Sequence, residues 1–214
     1  MSHAHDFFAH KSKSWDMSSR RVQNAKAIAD RILKNINIPS SAFIADVGVG
    51  TGLLSYFLSP YVARIDGIDN SPSMLEVLRQ KRETFAAPIR IEYRDVEHTP
   101  LQGPYDGIVS SMTLHHIGDI DRFFKQAAVA LKPGGFIAVA DLDCEDGTFH
   151  SDDTGVKHFG FDRDILRHKV QNAGFSRVRF ETVHTIAKPH RTFPVFLMTA
   201  ILEASTCSHV HMTS

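Results

Sequence analysis

The amino-acid sequence predicts an α/β fold, a largely parallel sheet flanked by helices. Three observations predict it. Short apolar runs alternate with segments of helical periodicity. The first such run leads straight into a glycine-rich turn, Gly48-Val49-Gly50-Thr51-Gly52. An acidic residue, Asp69, then closes the second run, 17 residues beyond Gly52.

The elements follow in order. Residues 19–37 read as a helix, because Val22, Ala25, Ile28, Ala29, Ile32, Leu33 and Ile36 recur three or four apart on one stripe and Pro39 stops it. A buried strand is expected over 42–47, then the glycine turn and a helix near 53–58. A second strand falls at 63–68, after which Ser71 is placed to cap a helix with Pro72 at its first position and Lys81 and Arg82 at its end. Strands follow at 89–93 and 107–111, then a helix over 120–131 that ends at Lys132-Pro133-Gly134-Gly135, and a fifth strand over 136–140. Asp162 caps a further helix that stops at Gly174. The last strands, 178–183 and 193–200, are expected to form an antiparallel pair.

Composition bounds the function. The 214 residues suit one domain. We divide them into an N-terminal helical lid segment (1–38), a catalytic-type core (39–202) and a flexible tail (203–214). Hydrophobic residues at 43% and charged residues at 22% suffice for a globular core. Lys+Arg and Asp+Glu are both 24, so no net charge draws the chain to nucleic acid or to an anionic membrane. No apolar run reaches the ~20 residues of a membrane span, and the start of the chain lacks an apolar signal core. With two distant cysteines, Cys144 and Cys207, no disulfide framework is implied and a cytoplasmic location is expected. The 13 histidines are scattered without a metal-pair spacing, so no metal is expected.

The chemistry centres on Asp46-Val47-Gly48-Val49-Gly50-Thr51-Gly52. Glycines between strand and helix let the backbone turn sharply and let a ligand come close. The next helix N-terminus offers free N–H groups and a positive dipole end. A dinucleotide site would have a further glycine at position 53, which is Leu here. Asp46 ahead of the turn suits a ligand carrying an ammonium group better than a pyrophosphate. Asp69, in Gly67-Ile68-Asp69-Asn70-Ser71, stands where an acidic residue takes ribose hydroxyls; Asp66 is the weaker rival for that role.

On these residues the sequence resembles the class I S-adenosylmethionine-dependent methyltransferases, particularly the group that includes the ubiquinone/menaquinone-biosynthesis methyltransferases. The matching pieces are Asp46–Gly52, Gly67–Met74, Arg94–Glu97, Tyr105–Ser110, Leu114–Ile117 and Leu131–Gly135, within roughly residues 40–200. The resemblance implies a Rossmann-like doubly wound sheet of seven strands, mostly parallel with a reversed last strand. It implies S-adenosylmethionine as cofactor, with Gly48, Gly50 and Gly52 against its amino acid portion and Asp46 near the ammonium. Asp69 would take the ribose, with Asn70 beside it. Ser71 and Met74 would flank the adenine, Asp95 and the Val96 N–H would bind its polar edge, and Ser110 would lie under the methionine part.

The acceptor side has weaker signals. His115 and His116 follow the fourth strand, near the expected methyl donor, and either could act as a base; equally, one could pack in the core while the other bonds the backbone. The irregular stretch 141–161 holds His150, Asp152, Asp153 and His158, which read as one wall of a substrate pocket or, less simply, a metal site. Phe7, Phe8 and Trp15 could close over a sulfonium or simply pack. The expected activity is methyl transfer to an O, N, S or C atom of a small molecule. The alternatives are a non-catalytic cofactor-binding module, a nucleotide-dependent oxidoreductase, and a protein or RNA methyltransferase. The last is disfavoured where Ser110-Ser111-Met112-Thr113 replaces an Asn/Asp-Pro-Pro-aromatic motif.

Overall fold

A computed structural model describes residues 6, 8, 11–150, 155–189 and 191–203. Seven strands form one sheet: β1 (Phe43–Val47), β2 (Arg64–Asp69), β3 (Ile89–Tyr93), β4 (Tyr105–Ser111), β5 (Leu131–Leu142), β6 (Phe175–Lys188) and β7 (Arg191–Leu202). Their spatial order is β3-β2-β1-β4-β5-β7-β6. Strands β1 to β5 pair in parallel, while β7 runs antiparallel to both β5 and β6. The last strand is therefore the reversed one. The chain order turns around between β1 and β4, and at such a switch point the strand ends diverge and leave a crevice.

Among the described residues five α-helices cover the two faces: α1 (Ser19–Asn35), α2 (Leu53–Leu58), α3 (Pro72–Lys81), α4 (Ile120–Ala130) and α5 (Arg163–Asn172). The predicted stripe on α1 is buried through Ala25, Ile28, Ala29 and Ile32, and joins Leu54 and Leu58 of α2 against Ile44, Ala138 and Leu197 of the sheet. On the other face Phe123, Phe124 and Ala127 of α4 and Leu166 and Val170 of α5 pack on Ala45, Ile108 and Phe196. Caps fall where the sequence placed them. Ser71 accepts from the Met74 N–H at 3.3 Å, and Asp162 accepts from the N–H groups of Asp164 and Ile165 at 2.9 Å each.

Three features extend beyond the sequence reading. Ser12–Met17 form a short 3-10 helix. Lys132–Gly135 is an irregular segment within β5 rather than a turn ahead of it, with pairing shifting between Tyr105 and Gly107 of β4. The β6–β7 hairpin runs to Lys188 and Arg191, beyond β5, whose last pair with β7 is Leu142–Val195. Because β7 is reversed, that overhang stands at the carboxyl end of the parallel strands. The expected tail and Cys207 lie outside the described residues, as do Phe7, Asp152 and Asp153.

Candidate functional site

The glycine turn leaves β1 with Gly48, Gly50 and Gly52 at φ of 72°, 54° and 85°, a left-handed backbone that glycine adopts without strain. The three differ in what lies above them. A methyl group on Gly48 would sit 2.1 Å from the Thr113 Oγ1, and one on Gly52 would meet Leu78 at 2.6 Å, whereas Gly50 faces open space. Two glycines therefore allow close packing and the middle one leaves a free face for a ligand. The Gly48 and Val49 N–H groups donate to the Ile68 carbonyl at 2.8 and 3.0 Å, which holds the turn against the end of β2.

Asp69 is fixed by that arrangement. Its Oδ2 accepts from the Gly50 N–H at 2.7 Å and its Oδ1 from the Ser71 N–H at 2.8 Å. Burial pushes its carboxyl up to about 6 despite these bonds. Asp46 is 1% exposed and lies beneath the turn, accepting from the Ser55 hydroxyl at 2.6 Å. Burial, with the Asp69 charge adding to it, raises it to about 7. Asp46 thus faces α2 rather than the crevice. The rival Asp66 is fully buried and engaged by Tyr105, Arg64 and Arg90, which removes it from any ligand role.

The other predicted residues divide. Asn70 is exposed next to Asp69, and Ser71 caps α3. Met74 is 3% exposed, so it packs inside. The Asp95 Oδ1 accepts from the Glu97 N–H at 2.9 Å and its Oδ2 lies 3.1 Å from the His98 Nδ1, which organises the turn after β3. Val96 packs partly against the core and lines a cavity of about 240 Å³ with Glu97, His98, Ile117 and Asp119. Ser110 is buried and its hydroxyl donates to the Val47 carbonyl at 2.8 Å, which ties β4 to β1.

Sequence reasoning missed two acids in the N-terminal segment. The Asp6 carboxylate accepts from the Ser71 hydroxyl at 2.8 Å and the Ser73 N–H at 3.0 Å, capping α3 from outside. Asp16 accepts from the Thr51 hydroxyl at 2.5 Å and pairs with Lys81. Together they hold the described part of this segment across the glycine turn. Trp15 is stacked by Arg21, and Phe8 packs edge-on against both Trp15 and His116.

The histidines after β4 take different partners. His115 is 2% exposed and its Nδ1 lies 2.8 Å from the Asp141 Oδ1 at the end of β5. The His116 Nδ1 donates to the Gly155 carbonyl at 2.8 Å, and burial beside His115 pulls its ring down to about 4. His150 packs at a tilt against His115 with ring centres 4.9 Å apart and is likewise lowered by burial to about 4. Asp141 was missed because apolar periodicity ends β5 at Ala140. Its position, an acid closing a strand as Asp69 closes β2, was the available signal. The loop that follows is pinned by Asp143 with Arg163 at 2.6 and 2.7 Å, and by Arg191 to Asp146 and Lys188 to the Phe149 carbonyl from the hairpin. Among the described residues no group of three or more His, Cys, Asp or Glu could hold a metal.

Comparison with known proteins agrees with this geometry. A family model described as a methyltransferase domain matches residues 44–135, from β1 into the β5 bulge. An uncharacterised methyltransferase of Schizosaccharomyces pombe is 32% identical over 69% of this chain and 59% of its own. The chain belongs to the class I methyltransferases. S-adenosylmethionine is the cofactor of this family. A ubiquinone biosynthesis O-methyltransferase of Nitrobacter winogradskyi is 29% identical over 53% of this chain and 44% of its own. This methyltransferase chain therefore spans 59% or less of those curated relatives. Among solved structures, a SAM-dependent methyltransferase from Aquifex aeolicus superposes with a TM-score of 0.68 at 19% identity, over 92% of this chain and 99% of that one. No helix among the described residues is long and apolar enough to cross a membrane.

Proposed function

We propose that this protein binds S-adenosylmethionine at the carboxyl ends of β1 and β2, beside the crevice between β1 and β4, and methylates a small-molecule acceptor. The observation that carries the reading is the Asp69 carboxylate, locked by the Gly50 and Ser71 N–H groups beside the open face of Gly50. Each carboxylate oxygen has lone-pair capacity left for a ribose hydroxyl. Asp69 and Asp46 are both held above the ordinary carboxylate range by burial, so a ligand bringing positive charge relieves the site, whereas a pyrophosphate would aggravate it. That is the fit expected of a sulfonium with an ammonium group.

When bound, the cofactor supplies an electrophilic methyl group whose departure leaves the electron pair on sulfur. The chain's own residues bind and orient. The glycine turn admits the amino acid portion, Asp69 holds the ribose, and the turn at Asp95 and Val96 takes the adenine edge. Asp46 contributes charge from beneath the turn rather than a direct contact, and Ser110 supports the floor through Val47. Phe8 and Trp15 form an aromatic cover that excludes water. A small acceptor is supported by the neutral net charge and by relatives named for ubiquinone and biotin biosynthesis.

Calorimetric titration tests the reading. The wild type should bind S-adenosylmethionine and its demethylated product but not NADH. Asp69→Ala should weaken binding about 100-fold, since two charge-assisted hydrogen bonds at roughly 1.5 kcal/mol or more each are lost. A folded wild type that binds neither form of the cofactor refutes the proposal.

A further inference from the structure

We infer that His115, held by Asp141, is the general base of the acceptor site, and that the acceptor is a hydroxyl compound that arrives protonated. This rests on the methyltransferase reading above. The argument starts from the carboxylate. Asp141 is fully buried, yet its two oxygens take three N–H donors: the His115 ring at 2.8 Å, the His115 backbone at 3.1 Å and the Leu142 backbone at 2.7 Å. Burial alone would raise this acid; His115 and the backbone bonds outweigh it and hold it below the usual carboxylate range. An ionised Asp141 can only accept, so the Nδ1 of His115 carries a proton, and in the neutral ring the lone pair is on Nε2. That Nε2 has no hydrogen-bond partner among the described residues.

Placement sets His115 close to the glycine turn. His115 is two residues past Thr113, whose hydroxyl lies against Gly48 of the cofactor turn at 3.3 Å to its carbonyl. The Lys157 and His158 N–H groups both donate to the His115 carbonyl, so the loop after β5 closes beside it. The rings facing it, His116 and His150, have centres 4.2 and 4.9 Å away and are kept neutral by burial. The charged groups around those rings are Asp141 from β5, Lys11 near His116, and Glu145 and Lys188 near His150. Among the described residues, His115 is thus the one of these three imidazoles with a carboxylate within hydrogen-bond reach.

Such a site suits proton removal from a neutral hydroxyl. The His115 Nε2 takes the hydroxyl proton. The electron pair of the O–H bond forms the new C–O bond as the C–S bond breaks, and the electron pair of the C–S bond stays on sulfur. The proton leaves His115 to solvent, so the products are the methyl ether, S-adenosylhomocysteine and H⁺. A free amine or a thiolate would need no such base.

The test uses the full chain, S-adenosylmethionine, and a series of substituted phenols from 4-nitrophenol, largely ionised at pH 8, to unactivated dihydroxybenzoates. His115→Ala should lower kcat on the unactivated phenols about 10²- to 10⁴-fold, the usual worth of a general base, with a much smaller loss on 4-nitrophenol. Asp141→Asn, a positioning change, should move the acid limb of the rate profile to lower pH, because the imidazolium loses its counter-charge. Cofactor affinity, measured in the same variants, should stay within a few-fold and shows that they are folded. Equal losses across the phenol series, an unmoved acid limb, or transfer only to amines and thiols overturns the inference. So does absence of transfer to any phenol by a protein that binds the cofactor. Failure of the wild type to bind the cofactor at all refutes instead the reading on which it rests.

Discussion

Asp46→Asn separates a buried charge from a buried shape. In the native protein the carboxyl lies beneath the glycine turn, hydrogen-bonded by Ser55, and is raised from 3.8 to about 7. A carboxyl raised by folding binds its proton more tightly in the native than in the unfolded state. Its cost to stability is therefore absent below about pH 4, grows as the pH rises from the unfolded value, and is complete above about pH 7. A shift of about three units corresponds to about 4 kcal/mol at full ionisation. Asparagine keeps an acceptor for the Ser55 hydroxyl but leaves its amide N–H groups unpaired, which costs about 1–3 kcal/mol.

The two effects cross. At pH 4.5 the variant should be no more stable than wild type, and at pH 8 it should be more stable by about 1–3 kcal/mol. At roughly 2–4 °C per kcal/mol for a domain of this size, that is a rise of several degrees in Tm at pH 8. Urea unfolding and thermal melts of both proteins at the two pH values provide the measurement. A variant that is less stable than wild type by the same amount at pH 4.5 and pH 8 would refute the reasoning, since the native carboxyl would then be as easily ionised folded as unfolded.

Other predictions concern the same crevice. Gly48→Ala should destabilise the turn by more than about 1 kcal/mol, because the new methyl would meet Thr113 at 2.1 Å at a φ of 72°; pairing it with Thr113→Gly should recover only the steric share in a melt, leaving the backbone share. Cofactor binding should release protons between pH 5 and 7, since a cationic ligand favours the ionised forms of Asp69, about 6, and Asp46, about 7. Titration in buffers of different ionisation enthalpy reads the release directly, and binding that strengthens toward low pH counts against it. Ser110→Ala should cost about 1 kcal/mol of stability through its lost bond to Val47 and change cofactor affinity little. A large loss of affinity without loss of stability would place its hydroxyl on the ligand instead.

The strands and helices were legible in local patterns, whereas the strand order and the reversed last strand came only with the family resemblance. Fully buried strands read as continuous apolar runs, and the helices between them carry single stripes and caps such as Ser71 and Asp162. The glycine turn was equally legible, because left-handed backbone at Gly48, Gly50 and Gly52 needs glycine and so marks itself in the sequence. What the sequence concealed was which polar groups meet across long separations. Asp46 and Asp69 look alike as strand-end acids, yet one is turned under the loop toward Ser55 and the other is aimed along it. Asp6 and Ser71 are 65 residues apart, and His115 and Asp141 are 26 apart. No periodicity connects such pairs, because a single hydrogen bond across loops leaves no repeating trace.

The reversed β7 explains why the loop side proposed for the acceptor was the harder half. A sheet of parallel strands alone ends in short loops that local turn chemistry marks well. Reversal instead brings the β6–β7 hairpin past the end of β5, and its tip then holds the 143–150 loop through Lys188 and Arg191. Phe149 is gripped between them, packing on Phe193 at 5.2 Å and beneath the Lys188 ammonium. The proposed acceptor wall would therefore be built by tertiary contact between two irregular segments, and the proposed cofactor wall by one turn on one strand. Substitutions at the hairpin tip, such as Lys188→Ala, should accordingly alter acceptor preference while leaving cofactor affinity unchanged. Transfer rates across the phenol series, set beside cofactor binding by calorimetry, separate the two; a parallel loss of both would mean that the walls are not independent.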